Sequence, residues 1–300
     1  MSARLIDGKA IAAATRAKVS QQVAALTAQG CPVHLAAVLV GSNPAARVYA
    51  ENQARSCAQA RIQYRLHELP AEISQAELLE IIGALNCDPA VTGIFLHTPL
   101  PGQLDVQRTQ YALDIIKDVE GVNPANIGHV FYGHTIIAPC TAVAIVELIE
   151  STGTQLQGAE AVIVGASRIV GRPTALLLTA RDATVTVCHI HTRDLAAHTR
   201  NADILVVAAG KAGLITGRHV KAGAVVIDVG INRITSTDPV TGQSVTKTVG
   251  DVDFEAVAPI ASWITPVPGG VGPVTVATLL TNTLRAAKLV YGLEQPFGGR

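Results

Sequence analysis

The segment VYAENQARS, residues 48–56, carries an aromatic hydroxyl at Tyr49 and an amide at Gln53. Side chains four positions apart lie on the same face of a helix, so these two groups are predicted to point the same way. A tyrosine and a lysine at this spacing would resemble the acid/base pair of an enzyme. Gln53 gives and takes no proton at ordinary pH, although its amide donates and accepts hydrogen bonds. The segment is therefore a working site, a site that has lost its proton chemistry, or ordinary helix surface.

A glycine loop, VIVGASRIVGRP at residues 162–173, lies between a predicted strand and a predicted helix. The spacing from Gly165 to Gly171 differs from the usual dinucleotide fingerprint of three glycines. Gly165 still permits a tight turn and a close ligand, the N–H groups that open the next helix favour an anion, and Ser167 adds a hydroxyl. The loop therefore indicates a nucleotide site, with a plain strand-to-helix turn as the alternative.

A strip of prolines and glycines, TPVPGGVGPVT at residues 265–275, follows the last predicted strand. Proline stiffens the backbone and glycine permits close approach, so the strip is suited to hold the flat surface of a ligand. Ligands of open α/β sheets bind beyond the ends of strands, as this strip does. The alternative is a tight connection between domains.

The elements that must position these groups alternate between strand and helix, which predicts parallel sheets covered by helices. Ser74 and Glu77 form a capping-box signature. A helix near residues 140–152 joins two βα series, and the polar stretch 232–247 suggests a hairpin. The predicted strands cover residues 34–41, 62–69, 93–101, 159–167, 183–190, 202–210 and 222–230, and the predicted helices include 74–86, 171–181 and 274–290.

The composition limits the classes of partner. Apolar residues make up 49% of the 300 residues and aromatic residues only 3%, which favours an α/β fold with buried parallel strands. Lys and Arg together number 23, as do Asp and Glu, so neither nucleic acid nor an acidic membrane is indicated. The expected partners are a small molecule and a second copy of the chain.

The five cysteines are widely spaced, which indicates reduced thiols in a cytoplasmic protein and no disulfide or zinc framework. We expect no metal site. The N-terminal stretch lacks the apolar core of a signal peptide, and no apolar run is long enough to span a membrane.

A series of short motifs extends along nearly the whole chain. In order they are VGSNPAARVYAEN, LHTPLP, KDVEGVNPANIG, PCTA, IVGASRIVGRP, ATVTVCHIHT, ADILVVAAG, VIDVGIN, VGDVDF and TPVPGGVGPVTVATLLTNT. This order resembles the methylenetetrahydrofolate dehydrogenase/cyclohydrolase family. Members of that family oxidise 5,10-methylenetetrahydrofolate to the methenyl cation and then hydrate it to 10-formyltetrahydrofolate.

The resemblance implies two α/β domains around a cleft. Residues 1–140 and 274–300 would form the folate domain, and residues 141–273 a Rossmann-like parallel sheet that binds a dinucleotide. The family usually uses NADP, sometimes NAD, and most of its members are homodimers.

The resemblance also implies roles for individual positions. Tyr49 matches the tyrosine that stacks on the folate. The catalytic set would be Tyr49, Gln53, His97, Asp118 and Glu120, and the substrate contacts Tyr49, Leu100, Glu120, Pro268, Gly269 and Gly270. The cofactor side would comprise Gly165, Ala166, Ser167, Val170, Gly171, Pro173, His189, Ile190, Thr192, Gly210, Ile231, Gly272 and Thr275.

Three of these positions depart from the family around the reaction centre. Gln53 replaces the lysine that is the principal acid/base group, His97 replaces a glutamine that orients this lysine, and Glu120 replaces an aspartate and reaches about 1.5 Å further. Removal of a hydride asks little proton transfer of the protein, whereas hydration gains about 10²–10⁴-fold from general acid–base catalysis. His97 either serves as a substitute base or merely donates and accepts hydrogen bonds in a changed pocket.

Two departures lie on the cofactor side. Ala166 replaces an arginine and Ile190 a serine, both of which contact the 2′-phosphate of NADP in the family. Their loss suggests a preference for NAD, unless Arg168, Arg172 or Arg193 reaches the phosphate instead.

Three functions are consistent with these departures. The first is a methylenetetrahydrofolate dehydrogenase whose cyclohydrolase activity is weak or lost. The second is an oxidoreductase of the same scaffold that acts on a different cyclic amine or iminium. The third is a non-catalytic protein that binds cofactor or folate as a ligand.

Overall fold

A computed structural model describes residues 2–41, 43–237 and 244–296 of the chain. The described residues form two compact units. The six-stranded unit takes residues within Met1–Ala12 and Thr141–Thr275, and the three-stranded unit takes residues within Ala13–Cys140 and Val276–Arg300. Each unit contains a parallel sheet with its own hydrophobic core, so the two α/β domains expected from the sequence are present.

The elements follow one another in chain order. They are β1 Arg4–Leu5, α1 Gly8–Ala28, β2 His34–Val40, α2 Pro44–Gln59, β3 Gln63–Leu69, α3 Gln75–Cys87, β4 Gly93–Leu96, α4 Val106–Tyr111, α5 Pro124–Phe131, α6 Cys140–Ser151, β5 Glu160–Val164, α7 Gly171–Thr179, β6 Thr184–Cys188, α8 Leu195–Thr199, β7 Ile204–Val207, a 3₁₀ turn Gly217–His219, β8 Val225–Asp228, β9 Asn232–Thr237, β10 Ser244–Val249, α9 Phe254–Val257, β11 Trp263–Ile264 and α10 Val271–Val290. No helix among the described residues has the length and apolar character needed to cross a bilayer.

The three-stranded unit has the strand order β3-β2-β4, with both pairs parallel. The central strand β2 is apolar and buried along nearly its whole length because helices cover both faces of the sheet. One face, which carries Ala37 and Phe95, packs against α1, α2 and α10. The other face, which carries Val38 and Leu96, packs against α3. Alternate residues of β4 therefore enter two different cores.

Both ends of α3 are held by specific polar contacts. At the start, the predicted capping box is present: Ser74 Oγ accepts from the Glu77 N–H at 3.2 Å, and Glu77 Oε2 accepts from the Ser74 N–H at 2.9 Å. At the end, Lys117 Nζ donates to the carbonyl oxygens of Asn86 at 2.7 Å and Asp88 at 2.8 Å. A buried ammonium thus satisfies carbonyl groups that have no partner within the helix.

The six-stranded sheet has the order β1-β11-β8-β7-β5-β6, and all its pairs are parallel. The chain passes from β5 outward to β6 and then returns past β5 to β7. The crossovers therefore diverge on either side of the β5–β7 pair, which makes this pair the topological switch point where open α/β sheets bind ligands.

Several boundaries differ from those expected. The first residues belong to the six-stranded unit because β1 pairs with β11 at the edge of that sheet. Both strands span only two residues, too short to show a period. The final helix begins at Val271 rather than 274, since Pro273 is tolerated in a first turn. Strands β9 and β10 pair antiparallel, as the suggested hairpin requires, and residues 238–243 between them lie outside the described residues, as do 297–300 of the tail.

The turn between β5 and α7 depends on close backbone contacts. A Cβ atom on Gly165, which has φ +122°, would lie 2.1 Å from the carbonyl oxygen of Ala208. A Cβ atom on Gly171 would lie 1.8 Å from the carbonyl oxygen of Gly165. Both glycines are therefore required by space, and they bring the end of β5, the start of α7 and the segment after β7 into contact.

We expect the Gly171→Ala substitution to lower the free energy of unfolding by about 1–3 kcal/mol, because the added methyl group forces the backbone of Gly165 or α7 to move. Urea unfolding followed by circular dichroism measures this change. Gly83→Ala in α3 is the matched control, since its Cβ meets no atom within 4 Å. This control should be neutral or stabilising. Equal stability of the Gly171→Ala variant and the wild type would contradict the steric argument.

Candidate active site and dinucleotide loop

Helix α2 directs one stripe of side chains, Tyr49, Gln53 and Cys57, toward the sheet face that carries Phe95. The ring of Tyr49 stacks on Phe95 with centroids 6.2 Å apart and meets the edge of His97 at 5.8 Å. Phe95 and His97 contact each other at 4.9 Å. The ring of Tyr49 is 42% exposed, so one surface of this cluster remains open to a ligand.

Three buried polar groups in this part of the fold have no protein partner among the described residues. Both amide atoms of Gln53, Nε2 of His97 and the hydroxyl of Tyr64 are inaccessible and form no hydrogen bond. Gln53 and His97 are each only 3% exposed. A buried polar atom that stays unpaired destabilises a protein by about 1–3 kcal/mol, so such groups mark a functional site. The predicted pocket residues Tyr49, Gln53 and His97 thus come together.

His97 is uncharged in this pocket at neutral pH. Burial lowers its pKa to about 4, because removal of water disfavours the imidazolium form. A base of this strength is a poor match for proton transfer near pH 7. The structure therefore favours the interpretation in which His97 acts by hydrogen bonding and packing over the one in which it substitutes for a lysine.

Asp118 was expected to act in catalysis, but the structure gives it a different role. The residue is fully buried, and its oxygens accept from the N–H of Gly121 at 3.1 Å, the N–H of Asn123 at 2.7 Å and Nδ2 of Asn126 at 3.1 Å. The three donors occupy the carboxyl oxygens and hold the backbone of the segment that contains Glu120. Asp118 is therefore a positioning residue that determines the course of the loop between β4 and α5.

Glu120, in contrast, faces the Tyr49 cluster. Burial and the neighbouring Asp118 raise its pKa to about 8, and no hydrogen bond from the described residues opposes that rise. Burial and the charge of Glu120 in turn raise the pKa of Tyr49 to about 12 and hold the pKa of the Cys140 thiol well above its usual value. These groups therefore interact electrostatically, and Glu120 is the acid among them whose pKa lies nearest to neutral.

The sequence did not reveal one side chain that supports this pocket. Asn282 of α10 donates through Nδ2 to the carbonyl oxygens of Val119 at 2.9 Å and Ala138 at 3.0 Å, and it lies 3.4 Å from Cys140 Sγ. These contacts join α10 to the segments on both sides of Glu120. The only sequence signal for Asn282 is a polar residue within a strongly apolar helix.

Of the other expected substrate contacts, one lies in the three-stranded unit and three lie in the six-stranded unit. Leu100 packs against the core on the far face of the sheet, with Leu96 and Leu104. Pro268, Gly269 and Gly270 belong to the six-stranded unit, where Gly270 N donates to the carbonyl of Pro266 at 2.9 Å. A Cβ atom on Gly8 would meet the carbonyl oxygen of Gly270 at 1.9 Å, so the strip packs against the start of α1.

The glycine loop differs in one respect from its expected chemistry. The first N–H groups of α7 are bonded within the loop, since Ser167 Oγ accepts from Gly171 N at 3.2 Å and the Ser167 carbonyl accepts from Arg172 N at 3.1 Å. Pro173 has no N–H. The expectation that these N–H groups point to an anion is therefore wrong for this conformation. The Ser167 hydroxyl keeps its own proton to donate, and the helix dipole still favours negative charge.

The segment after β6 forms a tight turn. The strand ends at Cys188, Thr192 Oγ1 accepts from His189 N at 2.9 Å, and His189 Nδ1 accepts from His191 N at 3.1 Å. The rings of His189 and His191 contact each other edge to face, with centroids 5.9 Å apart. The side chain of Ile190 is 93% exposed. Among the described residues, no group of three or more His, Cys, Asp or Glu is arranged to hold a metal ion.

The remaining cofactor positions lie near the carboxyl ends of the sheet strands or in α10. Gly210 has φ +66° and open space around it, and Ile231 is 72% exposed. Gly272 and Thr275 lie in the first turns of α10. The glycine cradle at the switch point, which a Cβ atom would fill, is suited to a dinucleotide. The residues of the six-stranded unit therefore fit the predicted cofactor.

Comparison with known proteins identifies the family of each part of the chain. The profile of the catalytic domain of tetrahydrofolate dehydrogenase/cyclohydrolase matches residues 6–120, and the profile of its NAD(P)-binding domain matches residues 139–291. The chain belongs to the tetrahydrofolate dehydrogenase/cyclohydrolase family. The resemblance inferred from the motifs and the Rossmann-like character of the second domain are thereby confirmed.

Individual relatives are similar over nearly the whole chain. The bifunctional protein FolD of Moorella thermoacetica is 50% identical over 288 residues, which cover 96% of this chain and all of the relative. The crystal structure of the bifunctional FolD enzyme of Campylobacter jejuni superposes with a TM-score of 0.90 at 42% identity, over 96% of this chain and 99% of that one. The Trypanosoma brucei FolD, solved with NADP and an inhibitor, has a TM-score of 0.89 at 36% identity, over 96% and 98%.

We expect the burial of His97 to produce a pH-dependent loss of stability. The unfolded chain protonates this ring near the ordinary pKa of 6.5, whereas the folded protein resists protonation until about 4. Between these values the unfolded state binds more protons, so stability is lost as pH falls. The His97→Gln variant lacks this loss, and its stability relative to wild type should rise by about 2 kcal/mol from pH 7 to pH 5.

Urea unfolding at the two pH values tests this expectation. His134→Gln, which replaces an exposed histidine, should follow the wild type at both. A stability difference between His97→Gln and wild type that does not change with pH would show that the ring of His97 is protonated normally in the folded protein.

Proposed function

We propose that this enzyme oxidises 5,10-methylenetetrahydrofolate to 5,10-methenyltetrahydrofolate with NAD(P) and hydrolyses the methenyl product weakly or not at all. The observation that carries the proposal is the buried, unpaired amide of Gln53, one helical turn from the Tyr49 ring that contacts an uncharged His97. The pocket keeps groups that position a substrate but has neither lysine nor charged histidine.

Oxidation depends on placing the substrate. The exposed ring of Tyr49, backed by Phe95 and edged by His97, offers a flat apolar surface for a ring system. The Gln53 amide supplies one donor group and one acceptor for the polar edge of the bound ring. When bound to the six-stranded unit, the nicotinamide cofactor supplies the acceptor for the hydride.

The charge of the pocket also favours this step. The product is a cation, and Glu120 is an acid that acts on Tyr49 and is itself affected by Asp118. Among the described residues, no lysine or arginine is a cause of the pKa shifts of Tyr49, His97 or Glu120. Glu120 would be largely protonated in the empty pocket. Positive charge that develops beside it would lower its pKa and favour the ionised form. The pocket therefore stabilises the cation it produces.

Hydration of that cation has different requirements. Water must lose a proton while a ring nitrogen gains one, and general acid–base catalysis contributes about 10²–10⁴-fold to such steps. Gln53 transfers no proton, and the pKa of His97 is too low for an effective base at neutral pH. Glu120 is the remaining proton carrier, and any residual hydrolysis is expected to depend on it.

The Gln53→Lys substitution should raise hydrolysis of methenyltetrahydrofolate, by about 10²-fold when combined with His97→Gln. The single variant should gain less, because an ammonium buried beside a neutral imidazole has a strongly lowered pKa. The added glutamine supplies an amide oxygen that accepts from the ammonium. The loss of methenyl absorbance measures the enzyme-catalysed rate above the spontaneous one.

Gln59→Lys is the matched control, since it places the same charge on the exposed end of α2. It should leave both reactions unchanged. The proposal that cyclohydrolase activity is impaired would be contradicted if the wild type hydrolyses methenyltetrahydrofolate rapidly and Gln53→Lys does not raise the rate.

We further propose that the enzyme prefers NAD to NADP. Ala166 and the exposed Ile190 occupy the positions at which the family resemblance places an arginine and a serine, and neither offers a charged or polar group to a 2′-phosphate. Arg168, Arg172 and Arg193 are exposed residues of the same segments and are the groups that would oppose this preference.

The ratio of kcat/KM for NAD to that for NADP tests the preference. It should exceed one in the wild type, and Ala166→Arg should shift it toward NADP by about 10–100-fold, the value of a charge-assisted contact. Ile169→Arg, which adds the same charge at an exposed position of the loop, should shift it much less. A wild type that strongly prefers NADP would refute the assignment.

The alternative activities have distinguishable outcomes in the same assays. Binding of cofactor without binding of any folate would favour a different cyclic amine or iminium as substrate. Binding of both without turnover would favour a non-catalytic role. A cytoplasmic location and a homodimer stay predictions carried by composition and by the family resemblance.

A further inference from the structure

Two buried aspartates lie in the six-stranded unit close to the predicted cofactor loops, although neither was expected to act there. Asp228 is the last residue of β8, and Asp251 comes shortly after β10. Their exposed fractions are 4% and 0%. Buried carboxyl groups are rare unless they are paired or hydrogen-bonded, so each needs a structural reason.

Asp228 holds the segment that contains Asp251. Its oxygens accept from the N–H groups of Asp251 at 2.9 Å, Val252 at 3.0 Å and Gly230 at 2.9 Å. The fit leaves no room for a side chain at position 250, where a Cβ atom on Gly250 would lie 1.7 Å from Asp228 Oδ2. The backbone of Asp251 therefore has one well-defined position.

Asp251 in turn holds the segment that follows β7. Its Oδ2 atom accepts from the N–H groups of Ala209 and Gly210, each at 2.7 Å, while its Oδ1 atom accepts from Asn232 Nδ2 at 2.8 Å. Two consecutive N–H groups that converge on one oxygen fix the orientation of the peptide planes at this turn. The Asn232 contact keeps the carboxyl group from rotating away.

The segment held by Asp251 forms part of the switch point. The carbonyl oxygen of Ala208 lies where a side chain of Gly165 would be, so the segment after β7 packs directly on the dinucleotide loop. A displacement of Ala209 and Gly210 would change the space available beside Gly165.

We propose that Asp251 is a positioning residue for NAD(P), which fixes the segment 208–210 against the glycine loop and so shapes the dinucleotide site. Asp251 touches no cofactor itself in this proposal. Its role depends on the acceptor that it presents to two N–H groups and on the backbone that Asp228 holds in place. The inference requires only the NAD(P)-binding domain and is independent of the fate of the methenyl product.

Titration of the full-length protein with NAD and with NADP, followed by fluorescence, tests the proposal. Asp251→Ala should weaken both dinucleotides by about tenfold or more, since two N–H groups lose their acceptor. Asp251→Asn should recover binding to within about threefold of wild type, because the amide oxygen still accepts from both N–H groups and Asn232 can turn its own amide to accept from the new one. Asn232→Ala should also stay within about threefold.

Asp253→Ala is the matched control, because Asp253 is an exposed acid of the same segment that only caps α9. It should leave dinucleotide affinity unchanged. Thermal unfolding and binding of a folate analogue to the three-stranded unit separate the positioning role from a general loss of structure. In the folded Asp251→Ala variant, folate affinity should stay at the wild-type value.

Three outcomes would overturn the proposal. These are a folded Asp251→Ala variant that binds both dinucleotides as wild type does, an Asp251→Asn variant as weak as Asp251→Ala, and an equal loss of folate and dinucleotide affinity. If Asp251→Ala does not fold, Asp251→Ser replaces it in the comparison, because its short hydroxyl does not reach both N–H groups. Because binding is measured without turnover, a failure of the proposed reaction would leave this test intact.

Discussion

The candidate active site depends on the hydrogen bonds that the buried carboxyl group of Asp118 accepts. This carboxyl group gathers the N–H groups of Gly121 and Asn123 and the amide of Asn126, and these bonds turn the chain so that Glu120 faces the Tyr49 cluster. The proximity of Asp118 then helps to raise the pKa of Glu120, and Glu120 helps to raise that of Tyr49. One positioning residue thereby sets both the geometry and the protonation of the groups that face substrate.

The proposed difference between the two reactions of the family has a physical basis in this arrangement. Hydride removal creates positive charge on the substrate, and an acidic side chain in the pocket stabilises this charge. Hydration needs a group that exchanges protons readily at neutral pH. His97 is a poor candidate because burial lowers its pKa to about 4, and the amide of Gln53 exchanges no proton. Gln53 and His97 are thus consistent with each other: a neutral amide beside a neutral imidazole leaves no buried charge to compensate.

Local signals in the sequence were sufficient for much of the fold. The capping box of α3, the central strands of both sheets and the crowded turn at Gly165 and Gly171 follow from patterns with a direct steric or hydrogen-bonding cause. The edge strand β1 could not be predicted, because two exposed residues carry no periodicity and their partner β11 lies more than 250 residues away. The bond from the Gly171 N–H to Ser167 Oγ was also hidden, since it depends on the rotamer of one side chain.

The roles of the acids were the hardest feature to predict, because a sequence shows a carboxyl group but not its donors. Asp118, Asp228 and Asp251 are all buried and each accepts three hydrogen bonds, so they serve as fixed anchors for backbone. Glu120 is poorly solvated as well, yet no such bonds lower its pKa. Hydrogen-bond donors to an acid oppose the rise in its pKa that burial causes, as they do for Asp228 and Asp118, and Glu120 has no such donors among the described residues. We therefore expect Glu120 to be the chemically active acid of the three-stranded unit. Asp118 and Asp251 have the same structural role, since each accepts hydrogen bonds that hold a loop in place.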